Sequence, residues 1–287
     1  MLSENLQEYL LSKNHFKEIK SIKPISGGSI NEAYRVSDGK NALFIKSNEA
    51  KFLPSFEVEQ KGIALLKQNS QFELPEVIEQ GVYNDESFIL MNFIQKGVKK
   101  LSFWTDFAHN LAKMHQCTQI EFGLDYNNCI GSLDQINTYK DDFINFFIEC
   151  RILPQLDLAA KFGLLVPETI DGIDELCSEL YNYIPDENPA LLHGDLWSGN
   201  FMVNSKGQVA LVDPAVYYGH RESEIAFTQL FGGFDPEFYT AYNEVFPMQN
   251  GWEERLDIYN IYPLLVHVNI FGPSYANSIN NILNKYL

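Results

Sequence analysis

The sequence predicts an α+β fold of two lobes, in which a small antiparallel sheet carrying one main helix precedes a larger, mainly helical lobe. Three observations predict it. Residues 19–93 alternate in strand-like fashion around one helical stretch, residues after 93 run in long helical periods, and a short β-type interruption at 191–213 holds the densest polar motif in the chain.

Leu2, Leu6, Tyr9 and Leu10 recur at helical spacing, so residues 2–13 read as an amphipathic helix entering the fold. Strands follow at 22–25, 33–36 and 42–45, the last two joined by the turn Ser37-Asp38-Gly39. The helix spans 54–68, with Phe56, Ile63, Leu66 and Ala64 as its apolar face. Strands at 75–83 and 87–93 flank the turn Asn84-Asp85. Helical periods then appear at 101–117, 141–158, 170–183, 222–231 and 252–271, interrupted by strand, loop, strand, turn and strand over 191–213. No repeat or flexible linker divides the chain. The expected division is therefore residues 1–92 and 93–287, joined near 91–99.

With 45% hydrophobic residues in 287, the chain has material for a substantial core. Lys and Arg number 21 against 38 Asp and Glu, a formal charge of −17. Such a surface repels phosphate backbones and anionic lipid, so nucleic acid and membranes are excluded as partners. An anionic ligand would need its charge met locally, by a lysine, backbone amides and a divalent metal. Cys117, Cys129, Cys150 and Cys177 show no C-x-x-C pair and read as buried reduced thiols. Without a signal-like N-terminus or a run of about 18 apolar residues, the expected location is the cytoplasm.

The central motif is His193-Gly194-Asp195-Leu196-Trp197-Ser198-Gly199-Asn200, followed by Asp213-Pro214. A kinase catalytic loop spaces its residues as H-x-D-x-x-x-x-N, with a later metal-binding Asp. Phosphoryl transfer needs a carboxylate to orient the attacking hydroxyl and accept its proton, a role that suits Asp195. Oxygen ligands must hold magnesium against the phosphates, which suits Asn200 and Asp213. His-Gly-Asp alone could be a turn capping a helix; the Asn and the later Asp make it a phosphotransfer motif. His193 reads as a brace for the loop rather than a proton shuttle.

The first lobe must supply a phosphate cover and a lysine. Gly27, Gly28 and Ser29 lie between two strands, where glycines let backbone amides approach phosphate oxygens, although a plain hairpin turn would look the same. Lys46 ends a strand after that loop and before an acidic helix, the setting of a kinase phosphate lysine. Glu59 and Glu57 compete as its partner. These features together predict a bilobal, protein-kinase-like fold.

The motif 193–200, together with Asp213-Pro-Ala-Val-Tyr-Tyr-Gly-His-Arg-Glu222 and Phe231-Gly-Gly-Phe234, resembles the fructosamine (ketosamine) kinase family. The likeness spans nearly the whole chain and includes Phe56-Glu-Val-Glu59, Arg151 and the stretch 267–272. It implies ATP-dependent phosphorylation of the sugar 3-hydroxyl of fructosamines or ribulosamines, small or protein-bound, after which the 3-phosphate eliminates and the amine is recovered. The resemblance implies Asp195 as base and Asn200 and Asp213 on Mg2+. It also implies Lys46 paired with Glu59 on the phosphates, and Met91, Asn92, Phe93 and Ile94 on adenine. Trp197 is expected as a wall of the sugar pocket, with a core aromatic as its alternative. Ser29 stands where several relatives carry a Cys tied to redox-switched dimerisation, so no such switch is expected, and the chain is expected as a monomer or weak dimer. Pro214 after the metal Asp leaves a protein-kinase activation switch without its parts. The competing functions are a kinase for an aminoglycoside, choline or thiosugar, and a nucleotide-binding pseudokinase.

Overall fold

The computed structural model describes residues 1–25 and 31–287, so the expected glycine cover of Gly27, Gly28 and Ser29 lies outside the described residues. Chain contacts form two units: Met1–Lys100 with Phe201–Asp213, and Leu101–Asn200 with Pro214–Leu287. The sequence reading divided the chain after residue 92 and left 201–213 with the second part.

The first unit is built on a five-stranded antiparallel sheet of order β1-β2-β3-β5-β4, with β1 Ser21–Pro24, β2 Glu32–Ser37, β3 Ala42–Glu49, β4 Val77–Tyr83 and β5 Glu86–Asn92. Its turns follow from local chemistry. Between β2 and β3, Asp38 accepts the amides of Lys40 and Asn41, and Gly39 adopts φ +93°. Between β4 and β5, Asn84 and Asp85 both take positive φ, as the tight two-residue hairpin requires.

Pleating sends successive β3 side chains to opposite faces. Ile45 packs into a cluster with Val36, Phe88 and Leu90, covered by helix α1 (Glu4–Ser12) through Leu6, Tyr9 and Leu10. The Ser3 hydroxyl caps α1 by accepting the Leu6 amide at 3.2 Å. Lys46 consequently points to the other face. Helix α2 (Leu53–Asn69) starts with Pro54 in its first turn and buries Phe56, Ile63 and Leu66, whereas Ala64 is exposed rather than part of the expected apolar face. Glu59, three residues after Phe56 and four before Ile63, shares their face.

A hairpin completes this unit. Strand Phe201–Val203 pairs with Val209–Leu211, and the turn between them closes on the Asn204 side chain, which accepts from Lys206 and Gln208. Leu211 donates to the Glu73 carbonyl at 2.9 Å, and Gly97 donates to Val203 at 2.9 Å. A Cβ on Gly97 would stand 2.1 Å from the Asn204 carbonyl, so only glycine permits this approach.

The second unit is mainly helical around the short strand pair Ala190–Leu192 and Tyr217–Gly219. The periodic stretch at 141–158 becomes helix Phe143–Phe147, a π-helical turn Ile148–Ile152 and helix Leu153–Lys161. Pro154 has no N–H for the Cys150 carbonyl, which instead accepts from the Arg151 guanidinium at 3.0 Å. The stretch 252–271 splits into Trp252–Tyr259 and Ile261–Phe271. Among the elements the sequence does not predict are the hairpin Asn128–Ile130 with Leu133–Gln135, the strand Tyr217–Gly219, the helix Pro236–Val245 and the helix Ala276–Tyr286. No two cysteines are bridged, and only Cys150 is buried, the other three being partly exposed. No helix among the described residues is long and apolar enough to cross a membrane.

Candidate active site

In the first unit, the pleat of β3 and the face of α2 bring Lys46 and Glu59 together, with Nζ 2.7 Å from Glu59 Oε1. Glu57, the competing acid, makes no ion pair with Lys46. The same ammonium donates to Asp213 Oδ1 at 2.6 Å. Burial opposes the charge on Lys46, but Asp213 and Glu59 outweigh it and hold the ammonium above the ordinary lysine range. For Glu59, burial pushes the carboxyl up against the pull of Lys46.

Asp213 follows the hairpin strand Val209–Leu211 and adopts φ +54°, a left-handed conformation that Asp tolerates better than most residues. It uses Oδ1 for Lys46, and its side chain is 47% exposed, so Oδ2 is open to a further ligand.

The stretch expected at adenine ends β5. Met91 and Ile94 are buried, and Asn92 exchanges bonds with Glu76, receiving its amide on Oδ1 at 2.6 Å and donating its own amide to the Glu76 carbonyl at 3.0 Å. The Arg35 guanidinium lies 5.0 Å from the Phe93 ring centroid. Among the described residues, the peptide groups of Phe93 and Ile94 carry no hydrogen bond, which leaves donors and acceptors for the edge of a base.

In the second unit, Gly194 takes φ +84°, and a Cβ there would meet the Ala215 carbonyl at 1.9 Å. That close turn delivers half-buried Asp195. Asn200 donates from Nδ2 to the Asp195 carboxylate at 2.7 Å and to its carbonyl at 2.8 Å. Both partners are acceptors, so the amide nitrogen must face them, and the amide oxygen of Asn200 turns away. His193 is fully buried and accepts the Asp195 amide on Nδ1 at 3.3 Å, the bracing geometry expected of it.

A second brace was not foreseen. Glu224, on helix Arg221–Leu230, accepts the Gly194 amide on Oε1 at 2.7 Å and pairs with His115 through Oε2 at 2.9 Å. Burial would raise this carboxyl, but His115 and the Gly194 amide hold it below the usual range. Asp195 and Glu224 line one pocket with Tyr217, Tyr259, Tyr262 and His267.

Residues 2–287 match the sequence-family model described as fructosamine kinase. The chain belongs to the fructosamine kinase family. A probable ketoamine kinase from Vibrio parahaemolyticus is 39% identical over 100% of this chain and 98% of its own. The chloroplastic protein-ribulosamine 3-kinase of Arabidopsis thaliana is 33% identical, over 100% of this chain and 89% of its own. Among solved structures, a candidate fructosamine-3-kinase from Haemophilus somnus superposes with a TM-score of 0.86 at 31% identity, covering 99% of this chain and 97% of that one. An aminoglycoside phosphotransferase in ternary complex with AMP-PNP and hygromycin B gives a TM-score of 0.66 at 15% identity over 99% of both chains, a likeness of fold alone. The α+β, protein-kinase-like fold expected from the sequence is thus the fold of this fructosamine kinase family member.

The geometry also accounts for the sequence Trp197-Ser198-Gly199-Asn200 of this chain. A Cβ on Gly199 would stand 2.3 Å from the Trp197 ring, and one on Gly233 would stand 2.6 Å from Ser198 Cβ. Trp197 is therefore folded over its own loop, partly exposed, with its ring 6.0 Å from that of Phe231. Glu224 could have been suspected from the run Arg221-Glu-Ser-Glu224, where acids fall in a helix's first turn. His115, 109 residues from Glu224, carries no local signal.

Proposed function

We propose that this protein transfers the γ-phosphoryl group of ATP to the 3-hydroxyl of a ketosamine, free or protein-bound. The observation that carries the reading is a family match over residues 2–287 in a chain whose Lys46 joins Glu59 and Asp213. In this reading Asp195 orients the substrate hydroxyl and takes its proton as the oxygen attacks the γ-phosphorus, and ADP departs with the bridging oxygen. Lys46, fixed by Glu59, lies against the nucleotide phosphates. The adenine edge pairs with peptide groups of the Met91–Ile94 stretch.

Magnesium fits the available donors. A hard cation takes oxygen ligands, and usually only one or two side chains besides phosphate oxygens. Asp213 has its Oδ2 open, and Asn200 has its amide oxygen turned from Asp195. These two residues would hold the ion, which when bound neutralises charge on the phosphates. Trp197, partly exposed beside Asp195, is assigned to the wall of the sugar site. Recovery of a free amine by loss of the 3-phosphate, a cytoplasmic location and a monomeric or weakly dimeric state belong to the same proposal.

The test is a substrate panel with ATP, with and without magnesium, and mass detection of product. Phosphorylated ribulosamine or fructosamine of lysine, with aminoglycosides and choline untouched, supports the reading. Turnover restricted to aminoglycosides, choline or a thiosugar would overturn it.

A further inference from the structure

We propose that Phe231, Phe271 and Tyr275, grouped around His267, form a subsite for the amine-side substituent of the ketosamine. This rests on the function proposed above. Asp195 and His267 line the same pocket. The His267 ring is the hub of the group, with centroid distances of 4.7 Å to Phe231, 5.4 Å to Phe271 and 5.0 Å to Tyr275. Phe231 in turn meets the edge of Trp197, two residues beyond Asp195, at 6.0 Å. An aromatic path therefore runs outward from the loop of the base.

Its outer end is open. Phe271 is 50% exposed and Phe231 37%. Single exposed apolar residues are ordinary, but these surround one ring that also lines the pocket of the base. Ketosamine chemistry says what belongs there. The reacting hydroxyl is on C3 and the nitrogen on C1, so a sugar oxygen at Asp195 leaves the nitrogen only a few bonds away. Whatever the nitrogen carries must leave through the mouth of the pocket. That nitrogen is a secondary ammonium at neutral pH, and aromatic faces attract a cation while covering its alkyl chain. The central His267 does not repel it: burial lowers its affinity for a proton by more than the Pro263 carbonyl, 2.7 Å from Nδ1, raises it.

The test compares two fructosamines that differ only in the amine, one of methylamine and one of lysine through its side chain, on the full chain and on Phe271→Ser, Tyr275→Ser and the double variant. Wild type should prefer the lysine compound. The double variant should lose about tenfold of that preference in kcat/KM, mostly through a higher KM for the lysine compound, with the KM for ATP unmoved. Phe271→Leu should fall between, because bulk remains while the π face is lost. A double variant that keeps the wild-type preference, or loses turnover equally on both compounds while still folded by circular dichroism, overturns the subsite. Wild type that phosphorylates neither compound brings down the function proposed above and the subsite with it.

Discussion

Lys46 donates to Asp213 at 2.6 Å across 167 residues of sequence, and the same ammonium holds Glu59 at 2.7 Å. One cation therefore ties the third strand of the sheet to the helix beside it and to the end of the 201–213 hairpin. Each contact has a separate cause: strand pleat, helix periodicity and the left-handed turn at Asp213.

Replacing Lys46 with Met should damage both stability and turnover. Glu59 would be left buried without its cation, which costs several kcal/mol in a dry setting; because Asp213 is half exposed, a loss of about 2–3 kcal/mol is expected. Turnover should fall by about 100-fold or more, because in the proposed reading Lys46 is the fixed charge on the phosphates. Thermal unfolding and steady-state kinetics check this, and wild-type turnover would show that the lysine has been misplaced.

Asp195→Ala should behave differently. The side chain is half-buried, and its removal leaves untouched the first-unit residues proposed to bind the nucleotide. ATP affinity should stay near wild type while turnover drops by about three orders of magnitude or more. Measuring both on one preparation decides it, and near-normal turnover would defeat the assignment.

These two residues could be put forward from the sequence because their signals are local: Asp195 sits in a dense motif, and Lys46 ends a strand between a glycine pair and an acidic helix. Long-range partnership was less legible. That Lys46 selects Glu59 over Glu57 follows from the spacing to Phe56 and Ile63, but it takes coordinates to see which face of α2 is buried. The support of Gly194 by Glu224 and His115 left only the acidic first turn at Glu224 in the sequence and nothing at His115, because it depends on helices brought together from distant sequence. The π turn at Ile148–Ile152 was hidden for another reason: its apolar residues keep a helical period while Pro154 changes the hydrogen bonding.

Gly199→Ala should disturb Trp197 before it disturbs the fold. The new Cβ would lie 2.3 Å from the indole, so the ring must swing off its loop. Overpacking of this kind costs roughly 1–3 kcal/mol. If Trp197 walls the sugar site, KM for the ketosamine should rise severalfold while KM for ATP holds, and tryptophan emission should shift. Unchanged emission and unchanged ketosamine KM would place Trp197 outside substrate recognition.

His220 should supply a pH dependence of stability. Its imidazole is fully buried; Nε2 donates to the Pro185 carbonyl at 3.2 Å and Nδ1 accepts the Glu222 amide at 3.2 Å, capping helix Arg221–Leu230. That pairing describes a neutral ring. Burial lowers its pKa below the ordinary histidine value, and Glu222 and Glu187 recover only part of the shift while Arg221 adds to it. With the folded pKa depressed, the unfolded chain takes up the proton first as pH falls. The contribution is therefore fully present above the unfolded histidine value of about 6.5 and is lost as pH falls through the folded value. Glu187, held below the usual carboxylate range with Arg221 on it, titrates further down and leaves this window to histidine. His267 shifts in the same direction, but it is present in both proteins of the comparison and cancels. His220→Asn keeps an acceptor for the Glu222 amide and removes the titration. Wild type should lose thermal stability between pH 7 and pH 5 more steeply than His220→Asn, and parallel curves across that range would mean that His220 is not the titrating group.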